Sequence, residues 1–378
     1  MENIIQKVLA AILPALMSVY SFIGGFIAQP GIPRKVEIPD TPGQQFVDKM
    51  NVGWNMGNTL DAYHENEAGM HTETMWGNPK TTEAMILKVK EAGFNTVRLP
   101  VTWSGHLGGA PDYLIDTEWL DRVQEVVDYA YNNGMYVILN SHHDNHVWFQ
   151  PDDENFDASM AQYVTIWKQI CARFADYGER LVLESMNEPR VVDSILEWSG
   201  GSCGERENIN RLNEIFVRTV RESGGYNAER YLLLPTYAAS ATWVTLNSLR
   251  LPEDDKLIVS IHAYYPNAFA MSHDDAEWGS AWDKFDLEHM LATLYSTFVK
   301  KGIPVYMGEF GAEFKHNDAE RARWADFYVR TAKKYGIHCA WWDNGLFTTD
   351  NAPFGLLNRN TLEWEHSVVV DTILKAAQ

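Results

Sequence analysis

The sequence predicts a (β/α)8 TIM barrel in a single catalytic domain, and three observations carry that expectation. First, LKVKEAGFNTVRLP, VVDYAYNNGMYVILN, TFVKKGIPVYMGEF and RTAKKYGIHCAWW each run an amphipathic pattern into a glycine, and an apolar strand begins within one or two residues. Gly93, Gly134, Gly302 and Gly336 therefore read as helix C-caps, where a left-handed backbone carries no Cβ penalty. Second, eight strand candidates begin near Asn51, Asn95, Met135, Leu181, Tyr231, Leu257, Pro304 and Ile337. Helical patterns follow most of them, over 81–92, 116–133, 158–177, 207–223, 286–301, 318–335 and 366–377, with 237–256 the least clear. Such alternation builds a parallel sheet. Third, the glycine-rich phosphate turn of a doubly wound sheet is missing. GWNMGN comes nearest and lacks the third glycine at the required spacing.

No Pro/Ser/Thr-rich linker divides 36–378, so this stretch reads as one unit without an appended module. Residues 1–35 stand apart. From Val8 to Pro33 there is no charged side chain, and Lys7 and Arg34 flank the run. A secretory signal peptide and export are expected, although the run is long enough to anchor the chain in a membrane uncleaved.

Hydrophobic residues make up 46% of the 378-residue chain, enough for a large core. The formal charge of −20 argues against a nucleic-acid partner, because phosphate backbones are bound through clustered Lys and Arg. A neutral polymer suits such a surface, and the 14 Trp residues suit a polysaccharide, since indole faces pack on sugar rings. No obligatory protein partner is indicated and a monomer is expected. Cys171 and Cys339 read as small core residues and Cys203 as a loop residue; three cysteines offer no disulfide framework and no C-x-x-C metal spacing.

In such a barrel the C-terminal ends of the strands converge on one mouth, where the chemistry sits. Those ends deliver Arg98 in VRLP, His142 and His143 in ILNSHHDNH, Asn187 and Glu188 in ESMNEP, His262 and Tyr264 in IHAYYP, Glu309 in MGEFG and Trp342 in WWDNG. Two glutamates, on strands four and seven, supply what cleavage of a glycosidic bond requires. One carboxylic acid protonates the leaving oxygen, and one carboxylate acts on the other face of the sugar. A nearby cation keeps the second ionised, and Arg98 is the candidate. Pairing alone leaves the two glutamates interchangeable.

The segments NVGWNMGNTLDA, FNTVRLPVTW, VILNSHHD, ESMNEPR, SIHAYYP, GEFG and WWDNG resemble glycoside hydrolase family 5, in that family's order and over nearly the whole chain after residue 45. Together with ETMWGNP, the first is similar to the bacterial endoglucanase branch, whose members cut cellulose, mixed-linkage glucan, xyloglucan and sometimes xylan. The resemblance implies a retaining endo-β-1,4-glucanase acting on plant cell-wall β-glucan without a cofactor. Xyloglucanase, mannanase and xylanase are the alternatives on the same scaffold. It implies Glu188 as acid/base and Glu309 as nucleophile, with Arg98 and Tyr264 holding the nucleophile's oxygens. Asn187 would bond the 2-hydroxyl of the attacked sugar, His262 would sit near the acid/base, and His142 near the reacting sugar. Trp342 would form the floor, although strand parity does not separate it from Trp341. Asn55, Trp76 and His143 would touch the glycone side. Residues 191–211 read as a long insertion-like loop shaping the aglycone side.

Two other classes compete. HHDNH with His262 could serve a metal-dependent hydrolase, but His142 and His143 are neighbours on a strand and should diverge, so no metal site is expected. A non-catalytic polysaccharide binder would typically have lost one glutamate, and both are present.

Overall fold

Short apolar runs become the eight parallel strands: β1 (Gly53–Met56), β2 (Thr96–Leu99), β3 (Tyr136–Asn140), β4 (Leu181–Glu184), β5 (Leu232–Ser240), β6 (Leu257–His262), β7 (Val305–Phe310) and β8 (His338–Asp343). The computed structural model describes residues 30–64, 66–272, 275–348 and 352–378. The expected leader lies almost wholly outside them. The strands close in sequence order, with Trp54 of β1 paired to Trp341 of β8. Every residue of β1, β2, β3 and β4 is buried, as expected where helices cover a parallel sheet.

The helices Glu83–Ala92, Thr117–Tyr131, Phe156–Arg173, Cys203–Glu222, Ala281–Thr297, Asp318–Lys334 and Ser367–Ala377 form the outer layer. The four marker glycines all hold positive φ, at 119° for Gly93, 82° for Gly134, 84° for Gly302 and 72° for Gly336. The indistinct 237–256 connection begins inside β5, which runs to Ser240, and beyond it holds the short helix Trp243–Ser248.

Three local expectations are corrected. The expected 191–211 loop ends at Ser202, and the helix expected from 207 starts four residues earlier at Cys203, because Ser202 and Glu205 form a reciprocal capping box. Cys203 is thus an exposed helical residue, while Cys171 and Cys339 are buried; all three are free thiols. The strand before the ESMNEP turn ends at Glu184, so Glu188 belongs to the turn that follows.

A helix that the sequence reading passed over, Pro42–Met50, plugs the lower end of the barrel. Thr41 caps it by accepting the Gln44 N–H, and a proline lies in its first turn. Its Phe46, Val47 and Met50 are buried with Tyr136, Ile138, Val182, Tyr231, Leu233 and Ile258 from the barrel interior. Phe46 stacks on Tyr231 at 4.0 Å between ring centroids. Burial of each such side chain contributes about 1.5–3 kcal/mol. The lower interior is therefore packed and dry, and polar residues collect at the other end.

Candidate active site

The turn that carries Glu188 is pinned on every side. Ser185 N–H donates to the Leu233 carbonyl, Asn187 N–H to the Ser141 carbonyl, and Ala238 N–H to the Pro189 carbonyl. The Tyr163 hydroxyl donates to Ser185 O at 2.6 Å. Neighbouring strands thus fix the backbone around one glutamate, while its own carboxylate stays partly open to solvent.

Arg98 lies at the centre, with no exposed surface. It donates Nη1 to Glu309 Oε1 at 2.7 Å, Nη2 to Asn187 Oδ1 at 2.7 Å, and Nε to Glu184 Oε2 at 2.8 Å. Burial alone would lower its pKa, but Glu184 and Glu309 overcome that and raise it, so the guanidinium stays charged. The Tyr264 hydroxyl donates to the other Glu309 oxygen at 2.7 Å. Burial and the adjacent Glu309 push this phenol well above its ordinary pKa, which keeps it a donor.

His262 joins the two carboxylates. Its Nδ1 is 2.9 Å from Glu188 Oε1 and 3.7 Å from Glu309 Oε2. Its Nε2 lies 3.3 Å from Arg98 Nη2, and a guanidinium can only donate. Nε2 must then accept, which leaves the proton on Nδ1 and makes His262 the donor to Glu188. Strand register shifts beside His262 in β6 and between Met307 and Phe310 in β7. Such irregularities re-aim side chains at a barrel rim. Gly308 is needed within this shift, because a Cβ there would lie 3.0 Å from His262 Nε2.

Carboxylate oxygens of Glu188 and Glu309 and a ring nitrogen of His262 all fall within 4.8 Å of one another. Burial pushes the Glu188 carboxyl up, but the His262 hydrogen bond, positive charge on that imidazole when protonated, and Arg190 pull it below its usual range.

Trp341 and Trp342 separate cleanly. Trp341 is fully buried and donates Nε1 to the Phe354 carbonyl at 2.9 Å. Trp342 is only partly buried and lies parallel to the His142 ring, with centroids 5.6 Å apart. Gly57 makes room for this indole, since a Cβ there would meet Trp342 Cζ2 at 2.6 Å. His142 is buried, and its Nδ1 faces the Asn140 amide at 3.1 Å. Burial, with the nearby charges of His143 and Arg98, lowers its pKa well below the usual imidazole value, so it stays neutral with Nε2–H free to donate. Trp76, His143 and Tyr63 cluster at tilted angles beside it, with centroids 5.5–5.8 Å apart.

Asn55 does not reach this wall. It is completely buried, donates Nδ2 to the Gly308 carbonyl at 2.9 Å and accepts Arg98 Nη1 at 3.0 Å. It supports Arg98 from behind, a correction to its expected place on the glycone side.

The expected divergence of His142 and His143 also fails. Their rings stand 4.4 Å apart and nearly perpendicular, because β3 ends at Asn140 and the chain turns before both. With Asp61 they form a second group of ligand atoms within 4.8 Å. That donor set is already engaged, however: Asp61 accepts the N–H groups of Asn58 and Thr59, and His142 Nδ1 accepts from Asn140.

Sequence reasoning missed Glu184, whose carboxylate binds Arg98 and also accepts Asn140 Nδ2 at 2.9 Å. The signal was available: a carboxylate inside an apolar strand must find a buried partner. It missed Asn140 and Tyr63 as well, and neither stands out by residue type.

A closed (β/α)8 barrel with two close carboxylates, a buried arginine bonded to one of them and a tryptophan at the mouth defines a glycoside hydrolase. The family model "Cellulase (glycosyl hydrolase family 5)" matches residues 59–347. The chain belongs to that family and is an enzyme of the cellulase type. It is 45% identical over 351 residues to Endoglucanase A of Ruminococcus albus, covering 91% of this chain and 95% of that one. It is 47% identical to Cellulase/esterase CelE of Acetivibrio thermocellus over 89% of this chain, which spans only 41% of that protein's length. A broad-specificity GH5-4 endoglucanase from Ruminococcus champanellensis, solved with bound cellotriose, superposes with a TM-score of 0.86 at 46% identity, covering 90% of this chain and all of that one.

Proposed function

We propose that this enzyme cuts internal β-1,4 bonds of plant cell-wall glucans by double displacement with retention, Glu309 acting as nucleophile and Glu188 as acid/base. The observation that carries this reading is the approach of their carboxylate oxygens to within 4.8 Å. Retaining enzymes hold the carboxyls about 5–5.5 Å apart, whereas inverting ones leave about 6.5–9.5 Å for a water. The roles follow from surroundings. Glu309 is held and aimed by hydrogen bonds from Arg98 and Tyr264. Glu188 is the more exposed of the two and takes a hydrogen bond from His262.

In the first step Glu309 attacks the anomeric carbon, and the Glu188 proton passes to the departing glycosidic oxygen. Sugar covering the site strips water from Glu188, strengthening the influence of burial that favours its acid form. In the second step Glu188 takes a proton from water, which attacks the same carbon and frees Glu309. Asn187 holds the 2-hydroxyl, Trp342 carries the sugar ring, and His142 offers its Nε2–H beside it. Trp76 and His143 line the glycone side. The substrate range is broad over cellulose-type and mixed-linkage glucans, as the relative from R. champanellensis suggests. Export through the apolar N-terminal segment fits a polymeric substrate, with 36–378 as the catalytic domain of a monomer.

Azide distinguishes the two carboxylates. Glu188→Ala should still form the covalent intermediate from an activated aryl cellobioside, and azide, needing no base, should then give the β-glycosyl azide. Glu309→Ala should give only the α product by direct attack. The opposite pairing of products would reverse the roles. Full activity after prolonged chelation is expected, and its loss would instead support a metal at Asp61, His142 and His143.

A further inference from the structure

Arg190, two residues beyond Glu188, is 5% exposed and fixed in one orientation. Nη1 donates to the Glu188 carbonyl at 3.0 Å and lies 3.5 Å from its carboxylate Oε2. Nε donates to Glu197 Oε1 at 2.8 Å, and Nη2 lies 3.3 Å from His146 Nε2. The indole of the exposed Trp198 covers the guanidinium at 4.1 Å. All three nitrogens are thus committed, and an ammonium could not reproduce the arrangement. The reaction as described above does not use this side chain.

Resting on the assignment of Glu188 as acid/base, we infer that Arg190 is its positioning residue. Clamped by Glu197 and Trp198, it holds the turn and sets a fixed positive charge beside the carboxylate, with Glu197 limiting that charge. Glu188 must be protonated to release the first product and ionised to accept a proton from water afterwards. A cation at 3.5 Å favours the second state, and the Glu197 carboxylate behind it restrains the effect so that the acid remains accessible. Other groups also act on Glu188: His262 from β6, to which Arg98 of β2 is bonded, Glu309 from β7, Tyr264, and His143 and His146 from the segment after β3. His146 is held neutral above about pH 4, chiefly by burial and then by Arg190, so it adds no change of charge near neutrality.

The test is the pH profile of kcat/KM on barley β-glucan, whose alkaline limb reports the acid of the free enzyme. Arg190→Met removes the cation and should move that limb up by about one pH unit, with Arg190→Lys moving it less. Glu197→Gln leaves the cation uncompensated and should move the limb down. A residue that only braces the loop would lower activity in both variants without opposite displacements. Thermal midpoints establish that each variant is folded, and Glu188→Gln supplies the control. If Glu188→Gln abolishes the limb while Arg190→Met and Glu197→Gln leave it in place, this inference fails alone. If the limb persists in Glu188→Gln, the assignment of Glu188 fails and takes the inference with it.

Discussion

Arg98 and Glu184 meet at 2.7 Å with both side chains wholly withdrawn from solvent. Arg98 reaches Glu309 at the same distance, so one guanidinium is shared between a carboxylate below the mouth and one within it. A single buried charge would be costly; the paired arrangement lets a permanent cation stand beside Glu309 without water.

Replacing Glu184 with Gln keeps the shape and removes the lower charge. Breaking a buried pair typically costs about 3–5 kcal/mol, so a clear drop in denaturation midpoint is expected. The unshared Arg98 should also bind Glu309 more strongly and blunt its attack, lowering kcat roughly tenfold, about 1.4 kcal/mol in barrier. Unchanged stability and kcat would show that Arg98 does not depend on this partner.

Arg98→Lys keeps the charge and loses the fork that serves Glu184, Asn187 and Glu309 together. The effect should fall on kcat far more than on KM, because the lost interactions orient the nucleophile. A raised KM with unchanged kcat would mean that Arg98 mainly binds sugar.

Gly57 has a steric duty toward Trp342. A methyl at 2.6 Å from Cζ2 cannot be accommodated without displacing the indole. Gly57→Ala should therefore raise KM for glucans in the direction of Trp342→Ala, with substrate titrations as the measure. Wild-type KM in Gly57→Ala would remove Trp342 from the sugar floor.

The mode of attack is visible in solution. Internal cutting should make carboxymethylcellulose lose viscosity well before reducing ends accumulate. Release of disaccharide with viscosity preserved would identify an enzyme working from chain ends.

The barrel was legible because its signals are local. A helix ending on glycine followed by an apolar strand needs no distant partner to be recognised, and Gly93, Gly134, Gly302 and Gly336 adopt the backbone that this pattern demands. The same locality put Arg98, Glu188, His262 and Glu309 in the vicinity of one mouth, since strand ends converge in a closed barrel. The helix Pro42–Met50 escaped notice although Thr41 and Pro42 mark its start, because its role is seen only when Phe46 meets Tyr231 across the barrel floor.

What the sequence by itself determined is the order of elements and the set of chemical groups carried at their ends, both dictated by residue type and short-range spacing. What only the tertiary structure decided is which groups touch. It buried Trp341 and left Trp342 at the mouth, withdrew Asn55 behind Arg98, brought the rings of His142 and His143 to 4.4 Å, and supplied Glu184 as a buried counter-charge. These outcomes depend on where each strand ends and how its register shifts against its neighbours, which contacts between residues far apart in the chain control.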